Sequence, residues 1–155
     1  MKFLNCLLVS CLLGLGFHVN SFAADDKGTS EQAQAMVKKA VAHFKSAGKE
    51  KAFADFSDSA DKKFHDRDLY VMVYDLTGVN AAHGANPKLI GKNLIEMKDA
   101  DDKFIIKEMI KTATTGKGSG WVEYKWPNPV SKALEAKSTY VEKVDNYFIG
   151  VGIYK

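Results

Sequence analysis

Hydrophobic residues follow two different periods along this chain, and each period predicts a different kind of element. Over residues 30–46 they recur every three or four positions, which is typical of an amphipathic helix. Thr29 and Gln32 have the spacing of a capping box before this helix, and Gly48 ends it. A shorter helix is predicted over residues 49–56.

Beyond residue 68 the period changes, and segments rich in β-branched and aromatic residues indicate strands. Strands are predicted at residues 69–74, 79–83, 121–126, 136–144 and 147–154. Tight turns join the first two strands and the last two, and Asp145-Asn146 forms the second of these turns. A helix capped by Asp99, Asp101 and Asp102 is predicted to end near Thr115.

This order of elements predicts an α+β domain built on a five-stranded antiparallel sheet. The long first helix is expected to cover one face of the sheet. The connection over residues 84–115 is expected to cover the other face, and the space beneath such a connection is a usual place for a small-molecule cavity.

The beginning of the chain predicts a secretory signal peptide. Residues 3–17 are mostly apolar, and they are too few to span a membrane comfortably. Small residues then precede a cleavage site after Ala23. The predicted organisation is a signal peptide at 1–23, a flexible leader at 24–29 and one domain at 30–155. A lipoprotein signal around Cys11 is the alternative.

Composition narrows the function classes. Both cysteines, Cys6 and Cys11, lie in the predicted signal, so the exported domain would have no disulfide and no thiol chemistry. The net charge of +3 does not indicate a nucleic-acid or membrane surface. No metal site, cofactor site or catalytic motif is predicted, because the aspartates at 99–102 lack the rest of a calcium loop and no histidines have zinc spacing.

Several blocks of sequence resemble the single Cache domain family, type 2. They are residues 70–75, 78–80, 82–83, 89–94, 98–101, 120–127, 137–141 and 149–154. The resemblance implies a PAS-like fold with a long N-terminal helix behind a five-stranded antiparallel sheet. It also implies extracytoplasmic sensing of small molecules, often short organic acids.

Most members of that family lie between two membrane helices in chemoreceptors or sensor kinases, and this chain departs from that plan. A signal peptide is predicted before the domain, and the sequence stops at the last predicted strand. The expected protein is therefore periplasmic or secreted, acting through a separate receptor, sensor kinase or transporter. A local departure is His83-Gly84, where relatives often carry His-Pro.

Aromatic residues on the strands are the first candidates for a binding site. Tyr124 and Trp126 share one face of their strand, and Tyr74 lies on the aromatic face of another. Trp121 is expected at the edge of the pocket. The alternative is that these rings are ordinary core residues.

A carboxylate ligand also needs donors. The resemblance places Lys137 and Tyr140 near the pocket, although their spacing directs them to opposite faces unless Lys137 lies in a bend or bulge. His83 is a further candidate donor, and Arg67 is expected in a surface ion pair. The alternatives are an exposed Lys137 at a strand end and a structural His83.

Two glycines in the last strand, Gly150 and Gly152, indicate that another group approaches that strand closely, either a ligand or a helix backbone. The sequence thus favours an exported, non-enzymatic binding domain for a short organic acid. The ligand-binding residues predicted are Tyr74, His83, Trp121, Tyr124, Trp126, Lys137 and Tyr140. The alternative function is a structural or protein-interaction module with a collapsed pocket.

Overall fold

The structure of the protein, a computed structural model, describes residues 27–155. The predicted signal peptide and residues 24–26 of the predicted leader lie outside the described residues. Two helices begin the fold: α1 over Ser30–Ala47 and α2 over Lys49–Ser57. The capping box is confirmed, because Thr29 Oγ1 accepts from the Gln32 backbone N–H at 3.3 Å while Gln32 Oε1 accepts from the Thr29 N–H at 2.9 Å.

The described residues form six strands in one antiparallel sheet. They are β1 over His65–Asp66, β2 over Leu69–Asp75, β3 over Asn80–His83, β4 over Ser119–Pro127, β5 over Leu134–Val144 and β6 over Tyr147–Tyr154. The order is β1-β2-β6-β5-β4, and β3 also pairs with β2. The five predicted antiparallel strands are confirmed, and the two-residue β1 is an addition. The last strand in sequence therefore lies in the middle of the sheet, between β2 and β5.

The two faces of the sheet carry separate hydrophobic clusters. Aliphatic residues of β2 such as Val71 and Val73 pack with α1 and α2 on one face. On the other face, Met72 and Tyr74 pack with α3, a helix over Ile105–Thr114. Alternation along β2 therefore assigns its side chains to the faces that the sequence predicted.

The prediction that aspartates cap α3 is wrong. The helix begins after Phe104, which provides no side-chain cap. Asp99 instead organises the loop before α3: its Oδ1 accepts from the backbone N–H groups of Asp101 and Lys103 at 2.9 and 3.0 Å. Its Oδ2 accepts from the N–H of Lys125 on the outer edge of β4, at 3.0 Å. This carboxylate thus ties the crossover to the sheet.

Candidate functional site

A small cavity lies between the sheet and the crossover, as expected from the order of elements. It is lined by Tyr70, Met72, Tyr74, His83, Met97, Ile105, Ile106, Met109, Tyr124 and Trp126. The free space inside is about 10 Å³, which is about enough for one water molecule. Three of the lining residues are methionines, whose unbranched side chains can move aside more readily than branched ones.

A wider depression adjoins the cavity on its solvent side. Its volume is about 240 Å³, and exposed residues such as Asn86 and Lys132 form its outer wall. Tyr70, His83 and Trp126 line both spaces. These three side chains therefore separate the cavity from solvent and are the ones that a small molecule would meet first.

The structure brings together most of the predicted site residues. Tyr74, His83, Tyr124 and Trp126 line the cavity directly. Lys137 is not on the cavity wall. Its ammonium group lies behind Tyr70, whose hydroxyl is 2.6 Å from Lys137 Nζ.

Trp121 and Tyr140 must be removed from the predicted site, because they lie on the opposite face of the sheet. Their rings contact each other with centroids 5.4 Å apart and pack against the α1 side of the core. The register of β5 is regular through Lys137 and Tyr140, so no bulge brings both side chains to one face. Ideal alternation therefore separates these two residues.

Lys137 is a buried amine held by two tyrosines. Its residue exposure is 1%, and Nζ is 2.6 Å from the Tyr70 hydroxyl and 3.0 Å from the Tyr154 hydroxyl. The same atom lies over both rings, 4.0 and 4.3 Å from their centroids. Among the described residues no carboxylate lies within ion-pair distance of it. Burial therefore lowers the pKa of Lys137 well below its usual range.

Gly152 explains how a lysine on β5 reaches a tyrosine on β2. The lysine side chain crosses the intervening strand β6, and a Cβ at position 152 would lie 2.2 Å from Lys137 Cε. The group that approaches this glycine is thus a neighbouring lysine stem rather than a ligand or a helix backbone.

His83 presents a hydrogen-bond donor to the cavity. Its Nδ1 accepts from the backbone N–H groups of Ala85 and Asn86, at 3.3 and 3.0 Å, so the proton of the neutral ring is on Nε2. Burial and the nearby charge of Lys137 lower the pKa of His83 from 6.5 to about 3. No described residue accepts a hydrogen bond from Nε2.

Tyr70 and Tyr154 belong to the site but were not among the residues predicted from the sequence. Their hydroxyls lie 3.3 Å apart, and that of Tyr154 also donates to the carbonyl of Pro127 at 3.0 Å. Burial raises the pKa of both phenols, so they are neutral at physiological pH. A signal for them existed, because Tyr70 shares the aromatic face of β2 with Tyr74, and Tyr154 shares a face with Gly152.

Arg67 lies outside this site, as predicted. It forms an ion pair with Asp66 at 3.0 Å and also donates to the Lys27 carbonyl. Within residues 27–155 no group of three or more histidine, cysteine or acidic side chains is arranged to hold a metal ion. Over the same residues, no helix has the length and hydrophobicity needed to cross a bilayer.

Comparisons with known proteins agree with the fold. The model of the family "Single Cache domain 2" matches residues 18–155. The methyl-accepting chemotaxis protein McpP of Pseudomonas putida is 34% identical over 92 residues, which cover 58% of this chain and 17% of McpP. The sensor histidine kinase MctS of Rhizobium johnstonii is 32% identical over 90 residues, 57% of this chain and 19% of that protein. The chain thus spans less than a fifth of either relative's length.

A solved structure is similar over most of the domain. It is that of a Cache chemosensory domain that recognises carboxylic acids, with a TM-score of 0.67. It is 26% identical, and the match covers 81% of this chain and 92% of that one. From its family match, its PAS-like sheet and its N-terminal helix, this chain belongs to the single Cache domain 2 family.

Proposed function

We propose that this protein is an exported sensor domain that binds a short organic acid, of about two to four carbons, in the cavity beneath the crossover. The observation that carries the proposal is Lys137, a fully buried amine that contacts two tyrosine hydroxyls and has no carboxylate at ion-pair distance among the described residues. A buried charge is stabilised by an opposite charge. A carboxylate in the adjoining cavity would supply it.

The arrangement of donors supports a carboxylate at the boundary between cavity and depression. His83 and Tyr70 both line this boundary, and Lys137 hydrogen-bonds to the Tyr70 hydroxyl from behind. The hydrocarbon part of the acid would lie against Met109 and Ile106. Since the free volume is small, only a short chain fits after the methionine side chains adjust.

The relatives support a sensing role rather than catalysis. McpP is a chemotaxis protein, MctS is a sensor kinase, and the similar solved domain recognises carboxylic acids. By analogy, ligand binding here would be passed to a receptor, a kinase or a transporter. We place the protein outside the cytoplasm on the predicted signal peptide.

The small cavity favours a second candidate function. Aromatic and methionine side chains already fill most of the space between sheet and crossover. A structural or protein-interaction module would need no more than this closed core. The two functions differ in whether any small acid stabilises the fold.

Thermal unfolding with a panel of small molecules tests the proposal. A bound acid at a hundredfold excess over its dissociation constant adds about 2.7 kcal/mol of stability, which raises the melting temperature by several degrees. Acetate, propionate and butyrate are the test compounds, and their neutral amides are matched controls. We expect a shift with an acid and none with its amide. No shift with any acid would favour the closed interaction module.

A further inference from the structure

The amine of Lys137 is surrounded by neutral groups on almost every side. Tyr70 on β2 and Tyr154 on β6 contact it, Tyr124 is its register partner on β4, and His83 on β3 lies nearby. Within residues 27–155, the one acidic group whose charge acts on it is Asp68, just before β2, which is buried and forms no hydrogen bond to Nζ.

The hydroxyl groups can form hydrogen bonds with an uncharged amine. Tyr154 donates its proton to the Pro127 carbonyl, so its oxygen accepts from Lys137. The Tyr70 hydroxyl is then able to donate to the lone pair of Nζ, at 2.6 Å. Burial disfavours the charged form of the lysine and acts in the same direction.

A carboxylate at Tyr70 would reverse this last hydrogen bond. The Tyr70 proton would turn from the amine toward the carboxylate oxygen, and the phenol oxygen would then accept from Lys137. An amine that has lost its donor and gained a nearby anion binds a proton more tightly.

We propose that the site takes up its carboxylate together with one proton, which Lys137 receives through this rearrangement at Tyr70. The proposal rests on the proposed function, since it concerns the same ligand. Ligand and proton together bring no net charge into the interior, which avoids burying an uncompensated anion. Affinity for the acid then falls as pH rises, by up to tenfold for each pH unit once the free amine has lost its proton.

Calorimetric titration of the protein with propionate tests this directly. The heat is measured in buffers of different ionisation enthalpy at the same pH, and the dependence on the buffer gives the number of protons taken up. The series runs from about pH 6 to about pH 9, because burial lowers the pKa of Lys137 well below its usual range. We expect uptake approaching one proton and weaker binding at the alkaline end.

Variants identify the group that receives the proton. His83 also faces the site, so His83→Gln, which keeps an N–H donor but does not titrate, is expected to bind more weakly with the uptake retained. Lys137→Met is expected to lose the uptake along with most of the affinity. Uptake that disappears in His83→Gln and persists in Lys137→Met would assign the proton to the histidine and overturn the proposal.

The two proposals fail in different ways. Propionate that binds to the unmodified protein with no proton uptake at any pH in the series would overturn the proton coupling and leave the proposed function intact. If neither propionate nor the other acids of the panel bind, the proposed function itself is wrong. The proposed proton uptake is then wrong as well.

Discussion

At the scale of single residues, Lys137 explains more of this protein than any other side chain. Its stem crosses the central strand at Gly152, its amine bonds to tyrosines from two strands, and, after burial, its charge contributes to the lowered pKa of His83. Each of these contacts positions a donor near the same cavity. The proposed binding of an acid therefore requires the Lys137 amine to lie beside this cavity.

Replacing Gly152 with alanine is expected to displace Lys137. The new Cβ would lie 2.2 Å from Lys137 Cε and 2.4 Å from Thr139 Oγ1, so the lysine stem must shift. Overpacking of this kind costs about 1–3 kcal/mol of stability. We expect that loss in urea denaturation, together with weaker acid binding in calorimetry.

Gly150→Ala is the matched control for that substitution, since it is on the same face of the same strand. Its Cβ would lie 3.0 Å from Met72 Cε, the flexible end of a side chain. We expect smaller losses of stability and of affinity than in Gly152→Ala. Equal effects of both alanines on affinity would contradict a specific role for Gly152.

Lys137 also shows which features of the site could not be predicted from the local sequence. Its candidacy was predicted from a family resemblance, and its burial was not. An ordinary exposed lysine at a strand end has the same local sequence, because nothing near position 137 reveals the gap at Gly152. The contact depends on β6 lying beside β5, which is a property of the sheet.

At the scale of elements, each strand divides its residues between two faces with different roles. Trp126 on β4 lines the cavity, whereas Trp121 on the same strand packs toward α1. These are the two tryptophans of the chain. They are therefore natural reporters for opposite faces of one element.

Intrinsic fluorescence is expected to follow acid binding through Trp126 alone. The unmodified protein and Trp121→Phe should both show a change of emission when propionate is added, because the ring at the cavity meets a new environment. Trp126→Phe should lose most of the change. A signal that follows Trp121 would contradict the placement of the site on the α3 face.

Alternation predicted these faces correctly for β2 and β4, because side chains of a regular strand must alternate. The same alternation predicts opposite faces for Lys137 and Tyr140, although the family resemblance places both near the pocket. The crossover was harder to predict. Its aspartates have the composition of a helix cap, but Asp99 is held by a backbone N–H of β4, a distant partner that local sequence does not specify.

At the scale of the whole molecule, buried ionisable groups make stability depend on pH. His83 has its pKa lowered from 6.5 to about 3, so between these values the unfolded chain binds a proton that the folded protein does not. Stability is therefore lost as pH falls through this window. The slope from one such group is at most about 1.4 kcal/mol per pH unit.

Urea denaturation between about pH 4 and pH 7 measures this effect, with His83→Asn for comparison. The amide oxygen of asparagine can accept from the N–H groups of Ala85 and Asn86, as Nδ1 of the histidine does. We expect a shallower acid slope in the variant. Carboxyl groups with a lowered pKa, such as Asp55, contribute equally to both proteins. Identical slopes would show that His83 is not buried as a neutral ring.

The fold class was predictable at this scale because the periods of eight successive segments agreed with one another and with the family resemblance. The order of strands did not follow from those periods. The last strand pairs with the first long strand across the whole domain, and this non-local pairing creates the path of Lys137 to Tyr70. The site could thus be predicted as a set of residue types on one face, but not as a connected network.

The measurement that tests the central claim most directly is the affinity for propionate of Lys137→Met beside that of Lys143→Met. Both lysines lie on β5, but Lys143 is exposed at the far end of the strand and Lys137 is buried behind the cavity. The account predicts that Lys143→Met binds propionate as the unmodified protein does, whereas Lys137→Met stays folded and binds at least tenfold more weakly, which corresponds to about 1.4 kcal/mol or more. Unchanged affinity in a folded Lys137→Met protein would contradict it.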